Sequence, residues 1–319
     1  MRGLIDFHVD TASEMYEQSQ PLKNNILSVD IEKLQKSNSI AQFFAMFIDM
    51  KKEDSSFDYC NIIIDNFHKE LEMNKDSISL ATTFSDLINN DKISAFLTIE
   101  EGDAIEGNID NLSFFKNKGV SLMTLLWNYE NDLGFPNHNL KFQNNGLKTK
   151  GIEAVKEMNN LNMLIDVSHL SDAGFNDVIA YSSSPIIASH SNSREMTNHP
   201  RNLTNEMIKV LANKGGVMGM NFCYAFMRER SILNKFKKKT NLTSIKDIVR
   251  HISHIHKVGG IDVISIGSDF DGIVNPVEIS DISEMHLLSS ALSKEGFSSN
   301  DIDKIFYKNG LRIIEDVLK

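Results

Sequence analysis

The chain has 319 residues, 41% hydrophobic and 24% charged, a balance typical of an ordinary globular protein that excludes a disordered, collagenous or coiled-coil chain. Its net charge of −10 is spread without a basic block, so neither nucleic acid nor an anionic membrane is an expected partner. Two distant cysteines, an N-terminus with early charges and no apolar run of about 18 residues predict a cytoplasmic protein without disulfides, signal peptide or membrane anchor.

Short apolar, β-rich runs alternate with amphipathic stretches along the whole chain, which is typical of a parallel sheet whose strands are connected by helices. We predict eight strands, near residues 4–10, 40–49, 93–100, 121–128, 163–169, 185–191, 216–222 and 263–269. The predicted helices include 57–73, 148–160, 172–181, 205–212 and 244–257. A capping box at Ser298 and Asp301 is expected to open a final helix.

The sequence offers no obvious domain boundary, because its five prolines are scattered and it has no Gly/Ser linker. We therefore predict a single domain over residues 1–319. Eight strand–helix units in one domain favour a (β/α)8 TIM barrel, with an open doubly wound sheet as the alternative. Two longer segments, about 129–146 and 224–243, follow the fourth and seventh strands and are predicted to lie at the carboxyl face of the barrel.

Residues of metal-ligand or acid–base type stand where the predicted strands end. A lone histidine at such a place is more often structural, but several at the carboxyl ends of barrel strands predict an active site. Imidazole and carboxylate without thiolate suit zinc or a similar ion in a catalytic site, and two ions sharing one carboxylate fit this set better than one. We call the set the strand-end cluster: His8, Asp10, Glu100, His169, His190 and Asp269.

A second run of histidines looks like a metal site but lies in a predicted amphipathic helix. It comprises His251, His254 and His256, ahead of the eighth strand. We predict a packing or solvated role for these three residues.

The motifs around the strand-end cluster resemble the renal-type (membrane) dipeptidases, a family of zinc hydrolases, in order and over nearly the whole chain. The resemblance is carried by Asp6-x-His8-x-Asp10, Gln42-Phe43, Glu100 with Gly102, Ile165-Asp166-x-Ser168-His169, Ser189-His190-Ser191, Asn198-His199-Pro200-Arg201-Asn202 and Gly267-Ser268-Asp269-Phe270-Asp271-Gly272.

This resemblance implies a (β/α)8 barrel, usually dimeric, that binds two Zn²⁺ per chain. His8 and Asp10 would hold one ion, His169 and His190 the other, and Glu100 would bridge them. A hydroxide shared by the two ions would attack the peptide bond of a dipeptide.

Two further residues match family positions with a role in the reaction. Asp269 matches the proton-transfer carboxylate, and Arg201 matches the arginine that binds the substrate. A planar guanidinium suits a carboxylate, so a short peptide with a free C-terminus is the expected substrate.

One position departs from the family pattern. Where better-known members carry a histidine that contacts the substrate, this chain has Trp127, whose indole cannot ionise. Asn128, Tyr129 or His138 are candidates to replace it, with Asn128 nearest in sequence, and Trp127 itself is either a substrate contact or a packing residue. Two alternatives to a dipeptidase stay open: an amidohydrolase acting on lactams, lactones or other cyclic amides, and a catalytically silent, metal-stabilised protein that binds short peptides.

Overall fold

A closed barrel of parallel strands forms the centre of the computed structural model, which describes residues 3–228 and 241–319. Eight strands close the barrel in the order β1, β2, β4, β5, β6, β7, β8, β9, with β9 pairing back to β1. The predicted (β/α)8 fold is thereby confirmed. The strands in the described residues are β1 (Leu4–Val9), β2 (Ser39–Phe47), β3 (Ile78–Leu80), β4 (Ile93–Glu100), β5 (Val120–Thr124), β6 (Leu164–Asp166), β7 (Ile187–Ala188), β8 (Val217–Met220) and β9 (Ile264–Ile266).

The ninth strand, β3, lies outside the barrel and was not predicted. It pairs with the first residues of β4, while β2 pairs with β4 along nearly its whole length. Three residues are too few to show a period-2 pattern.

The eight predicted strands are all present, but β7 is much shorter than the predicted 185–191. On the side of β6, side chains replace the backbone ladder after Ala188, whereas on the side of β8 the N–H of Ser191 still donates to the carbonyl of Gly219 at 2.8 Å. The N–H of Ser189 donates to Asp166 Oδ1 at 2.8 Å, and the N–H of His190 donates to Ser168 Oγ at 3.1 Å.

Helices surround the barrel, and many begin after a serine or threonine whose side chain accepts the free N–H of the third helical residue. The predicted capping box at Ser298 and Asp301 is present. The α-helices in the described residues are α1 (Thr11–Gln18), α2 (Ile31–Lys36), α3 (Ser56–Met73), α4 (Phe84–Ile88), α5 (Asp110–Asn117), α6 (Thr149–Asn160), α7 (Asp172–Tyr181), α8 (Asn205–Asn213), α9 (Tyr224–Met227), α10 (Ile245–Gly259), α11 (His286–Glu295), α12 (Ser299–Asp303) and α13 (Asn309–Val317).

Two apolar layers hold the barrel together. Residues from seven strands meet inside it, with the rings of Phe7 and Phe96 on either side of Phe43, each centroid 4.6 Å from that of Phe43. The opposite faces of the strands pack against the helices. This packed interior supports the residues at the carboxyl ends of the strands.

The segments after β5 and β8 differ in how far they can be described. Residues 125–148 connect β5 to α6 and include a 3-10 turn, Leu140–Phe142. The predicted insertion at 224–243 begins with α9, and its residues 229–240 lie outside the described residues. The single-domain assignment stays a prediction.

Candidate active site

The first strand brings His8 to the barrel mouth through an irregularity. Phe7 packs inside the barrel, yet the next residue, His8, also points inward, with Nε2 3.4 Å from Asp10 Oδ2. Successive side chains of a regular strand point to opposite faces. The register of β1 against β2 shifts at this part of the strand, and such a bulge re-aims a side chain.

Glu100, the last residue of β4, stands at the centre of the strand-end cluster. Its Oε2 lies 3.3 Å from His8 Nε2, and its Oε1 lies 3.2 Å from His169 Nε2 and 3.5 Å from His190 Nε2. One buried carboxylate thus reaches imidazoles on both sides, the placement that a bridging ligand needs.

The hydrogen bonds of His169 and His190 determine which ring nitrogens carry lone pairs. His169 Nδ1 contacts Asn128 Oδ1 at 3.3 Å, and because an amide oxygen only accepts, Nδ1 donates. His190 Nδ1 contacts Ser189 Oγ at 2.7 Å, and that hydroxyl already donates to Asp166 Oδ2 at 2.5 Å, so this Nδ1 donates as well.

The Nε2 atoms of both rings therefore carry lone pairs, and they lie only 3.0 Å apart. Two lone pairs at that distance repel each other unless a cation lies between or beside them. His8 adds a further observation, because neither of its ring nitrogens has a hydrogen-bond partner in residues 3–228 and 241–319. The donor set, imidazole and carboxylate, suits zinc and similar divalent ions.

Two buried aspartates support the candidate ligands His8 and His190 through hydrogen bonds. Asp6 accepts the N–H of His8 at 3.2 Å and the hydroxyl of Ser268 at 2.6 Å. Asp166 accepts both the N–H and the hydroxyl of Ser189 beside His190. Such second-layer hydrogen bonds fix the orientation of metal ligands.

The shifted pKa values of the strand-end cluster also indicate a site that favours a cation. Burial and the Glu100 carboxylate raise the pKa of Asp10 well above its usual value. Burial would raise the pKa of Glu100 too, but His8 and the other imidazoles hold it well below its usual range. Burial opposes protonation of His8, yet Glu100 and Asp10 raise its pKa well above the ordinary value. The carboxylates thus compete for positive charge.

The remaining imidazoles favour the neutral form that binds metals. Burial, with the nearby Arg201 guanidinium, lowers the pKa of His169 to about 4. Burial and the charge on His8 hold the pKa of His190 well below its usual value.

Asp269 faces the cluster from the end of β9. Its Oδ1 lies 3.8 Å from His8 Nε2, and its Oδ2 accepts a hydrogen bond from Asn221 Nδ2 at 2.8 Å. Burial raises the pKa of Asp269 to about 6. Asn221 is not among the predicted site residues, although it directly follows β8 and so occupies a strand-end position like the others.

Arg201 is a buried cation, 2% exposed, that donates to Ser191 Oγ at 2.9 Å and to the carbonyl of His190 at 3.0 Å. Within the described ranges no carboxylate lies within 4.0 Å of its guanidinium nitrogens, and its Nε has no hydrogen-bond partner. Buried charges are normally paired. Because the Arg201 guanidinium lines the cavity without a carboxylate partner, it can bind an anionic group from outside the chain.

Trp127 and Asn128 lie at the cavity mouth, and their contacts differ. The half-buried Trp127 ring meets Phe47 edge-on at 4.8 Å and Tyr129 at 5.5 Å. Asn128 contacts His169 as described above, which makes it a partner of a candidate ligand. A cavity of about 480 Å³ includes both residues together with Arg201, a volume in the usual range for small-molecule sites.

Several residues beside the candidate site have a left-handed backbone that normally favours glycine. Glu101 has φ 105°, His169 69°, Asp269 63° and Asp271 69°. The chain therefore turns sharply as soon as these strands end, which places the side chains over the barrel mouth.

The closest groupings of potential ligand atoms in the described part of the chain fall within the predicted cluster. One combines His8, Glu100 and His190, and the other combines His8, Asp10 and Asp269. The two groupings have His8 in common, whereas in the predicted arrangement Glu100 is the ligand common to both ions.

The three histidines of α10 belong to neither grouping: His251 is buried, His254 is half-buried and His256 is exposed. His251 accepts the N–H of Ser193, His254 contacts Asn205, and the ring of His256 lies 5.6 Å from that of Phe297.

Comparison with known proteins gives matches over most or all of the chain. The family described as Membrane dipeptidase (Peptidase family M19) matches residues 2–319. A Klebsiella pneumoniae protein in the pqqA 5′ region is 34% identical over 233 residues, covering 71% of this chain and 83% of that protein. Dipeptidase verJ of Clonostachys rogersoniana is 30% identical over 260 residues, covering 80% of this chain and 64% of that protein.

The fold also matches solved structures. A metallo peptidase from Rhodobacter sphaeroides, liganded with a phosphinate mimic of the dipeptide L-Ala-D-Ala, superposes with a TM-score of 0.87 at 21% identity, covering 99% of both chains. In the described residues, we find no helix with the length and apolar character needed to span a membrane.

Proposed function

Because the chain belongs to the membrane dipeptidase family, peptidase family M19, we propose that it is a zinc-dependent dipeptidase that hydrolyses the peptide bond of dipeptides. The observation that carries this proposal is the pair of Nε2 lone pairs of His169 and His190, 3.0 Å apart beside Glu100. The unpaired Arg201 guanidinium in the same cavity supports it.

Two divalent ions would be held by the strand-end cluster. His8 and Asp10 would bind one ion and His169 and His190 the other, with Glu100 as the shared ligand. The two oxygens of Glu100 already reach imidazoles on both sides, which supports this assignment over one in which His8 is shared. When bound, such ions polarise a carbonyl group and make water a better nucleophile at neutral pH.

The chain's own residues supply binding and proton transfer. Arg201 would hold the C-terminal carboxylate of the dipeptide through charge-assisted hydrogen bonds and so fix the peptide bond over the cluster. Asp269 has one oxygen held by Asn221 and the other facing the cluster, so its carboxylate can take a proton from the attacking water and deliver it to the leaving nitrogen.

A dipeptide panel with metal analysis of the same sample tests the proposal. The panel includes both stereoisomers at the second residue, together with lactams and lactones. We expect about two zinc ions per chain and hydrolysis of free dipeptides. A zinc-loaded protein that binds dipeptides without cleaving any would instead support a silent peptide-binding protein, and preferred cleavage of cyclic amides would support the amidohydrolase alternative.

Substitution of one ligand sharpens this test. His169→Ala should remove one ion and the activity together, whereas His286→Ala, on an exposed helix residue, should leave metal content and activity unchanged. Full activity of His169→Ala would contradict the ligand assignment.

We also propose that residues 1–319 act as a single domain, that two copies form a homodimer, and that the protein works in the cytoplasm. Sedimentation at several protein concentrations tests the oligomeric state. A monomer at all of them would refute the dimer.

A further inference from the structure

We propose that Phe47 and Trp127, which we call the aromatic wall, select dipeptides whose first residue has a large apolar or aromatic side chain. This inference rests on the proposed function, because it takes Arg201 as the anchor of the peptide's C-terminus. It concerns the one position where the chain departs from the family pattern.

The aromatic wall is an apolar surface that faces the cavity. Phe47 is the last residue of β2, Trp127 follows β5, and both rings are half-buried and line the cavity. Their edge-to-face contact, with centroids 4.8 Å apart, leaves the two rings forming one continuous surface. Tyr129 also makes an edge-to-face contact with the Trp127 indole, with centroids 5.5 Å apart.

The barrel order places this wall opposite the carboxylate anchor. In a closed eight-stranded barrel, strands that are four positions apart lie on opposite sides, so β2 faces β7 and β4 faces β8. The wall spans the ends of β2 and β5, on either side of β4. Arg201 follows β7, and the Phe226 ring that lies 5.7 Å from its guanidinium carbon follows β8.

A dipeptide anchored at Arg201 extends across the strand-end cluster toward the wall. Its second residue lies near Arg201 and Phe226, and its peptide bond lies over the cluster. The side chain of the first residue is then the part of the substrate that reaches Phe47 and Trp127.

Glu101 holds the wall in place. This fully buried residue has φ 105°, a conformation that favours glycine, so its side chain must provide something that glycine does not. Its Oε2 accepts the N–H of Trp127 at 3.0 Å, and its Oε1 accepts Asn131 Nδ2 at 2.5 Å and the N–H of Asp103 at 2.9 Å. Glu101 thereby ties the segment that carries Trp127 to the end of β4 and acts as a positioning residue.

Paired substrates measure the selectivity. For the wild-type protein we expect kcat/KM for Phe-Ala to exceed that for Ala-Ala by about tenfold or more, since apolar pockets discriminate by at least that factor for small changes in side-chain size. Trp127→Leu and Trp127→His should each reduce this ratio to about threefold or less. Phe226→Leu, on the opposite side of the cavity, is the matched control and should preserve the first-residue ratio. A wild-type ratio near one, or an undiminished ratio in both Trp127 variants, overturns the proposal.

Fluorescence provides a test that does not need turnover, because Trp127 is the only tryptophan of the chain. Reduced-amide analogues of Phe-Ala and Ala-Phe, which cannot be hydrolysed at that bond, are titrated into the wild-type protein. We expect the Phe-Ala analogue to bind about tenfold more tightly and to shift the Trp127 emission, and Glu101→Gln to weaken both effects. Equal binding and equal shifts for the two analogues refute the wall. If no dipeptide is cleaved but the binding difference is present, the proposed function fails while the wall stands.

Discussion

Replacing His251 with glutamine should reduce the loss of unfolding free energy that the protein suffers as the pH falls. His251 lies on α10 and is fully buried. Its Nδ1 accepts the N–H of Ser193 and its Nε2 lies 3.3 Å from the carbonyl of Met227, so the neutral ring joins the segments that follow β7 and β8. If the ring took up a second proton, the new N–H at Nδ1 would point at the N–H of Ser193.

The magnitude follows from the pKa of His251 in the two states. Burial, opposed by the Met227 carbonyl and reinforced by the adjacent Arg250, lowers it to about 4 in the folded protein, from 6.5 for an ordinary histidine. On the same helix, Asp247 raises the pKa of His251 and His254 lowers it, each by a smaller amount. Below pH 6.5 the unfolded state therefore binds more protons, and stability falls as the pH drops, until about pH 4. The full difference is about 3 kcal/mol, of which about 2 kcal/mol is lost between pH 7.5 and pH 5.

Urea unfolding of metal-free protein at pH 7.5, 6 and 5 measures this effect, with Trp127 fluorescence and circular dichroism as two probes. At pH 7.5 both His251→Gln and His251→Leu should be less stable than the wild type, by different amounts. In both variants the gap to the wild type should narrow by about 2 kcal/mol at pH 5, because neither has a titratable group at residue 251. A gap that stays constant from pH 7.5 to pH 5 would refute the reasoning.

Three further predictions concern the site and its support. Arg201→Met should raise KM for dipeptides about 10- to 100-fold, which is the loss expected for hydrogen bonds to a charged group. It should also abolish discrimination against C-terminally amidated peptides. A retained preference for the free carboxylate in steady-state kinetics would contradict the role of Arg201. Asn128→Leu should lower the affinity for one metal ion about tenfold or more, because it removes the hydrogen-bond acceptor of His169 Nδ1. Titration against a chromophoric chelator measures this affinity, and a wild-type value would argue against a role of Asn128 in orienting His169. Gly267→Ala should cost about 1–3 kcal/mol in unfolding free energy, because its Cβ would lie 1.8 Å from the carbonyl oxygen of Ser189. Gly134→Ala, whose Cβ meets its nearest atoms at 3.4 Å, is the matched control for denaturant unfolding, and an equal cost in both variants would contradict the steric argument.

The sequence allowed the barrel and the strand-end cluster to be predicted because one rule governs both. In parallel barrels the carboxyl ends of all strands meet at one face, so His8, Glu100 and His190 come together however far apart they are in the chain. The ordinary contrast between apolar strand interiors and polar strand ends was enough to find them.

Other features depend on geometry that the sequence does not display. The bulge that turns both Phe7 and His8 inward breaks the period-2 rule on which the prediction relied. Asn221 stands at a strand end but has a side chain that is equally common in turns. Glu101 is simply a second carboxylate beside Glu100 in the sequence, and only its three buried hydrogen bonds show that it anchors the next segment.

The left-handed backbone at Glu101, His169, Asp269 and Asp271 has a consequence for protein engineering. Each such residue costs on the order of 1–3 kcal/mol relative to a relaxed conformation, and glycine would remove most of that cost. A directed-evolution campaign that selected only for heat resistance would therefore enrich glycine at these positions. It would yield stable barrels that had lost a proposed metal ligand (His169), the proposed proton-transfer carboxylate (Asp269) or the residue that supports the proposed aromatic wall (Glu101). Any thermostable descendant of this protein should be selected for turnover in the same round.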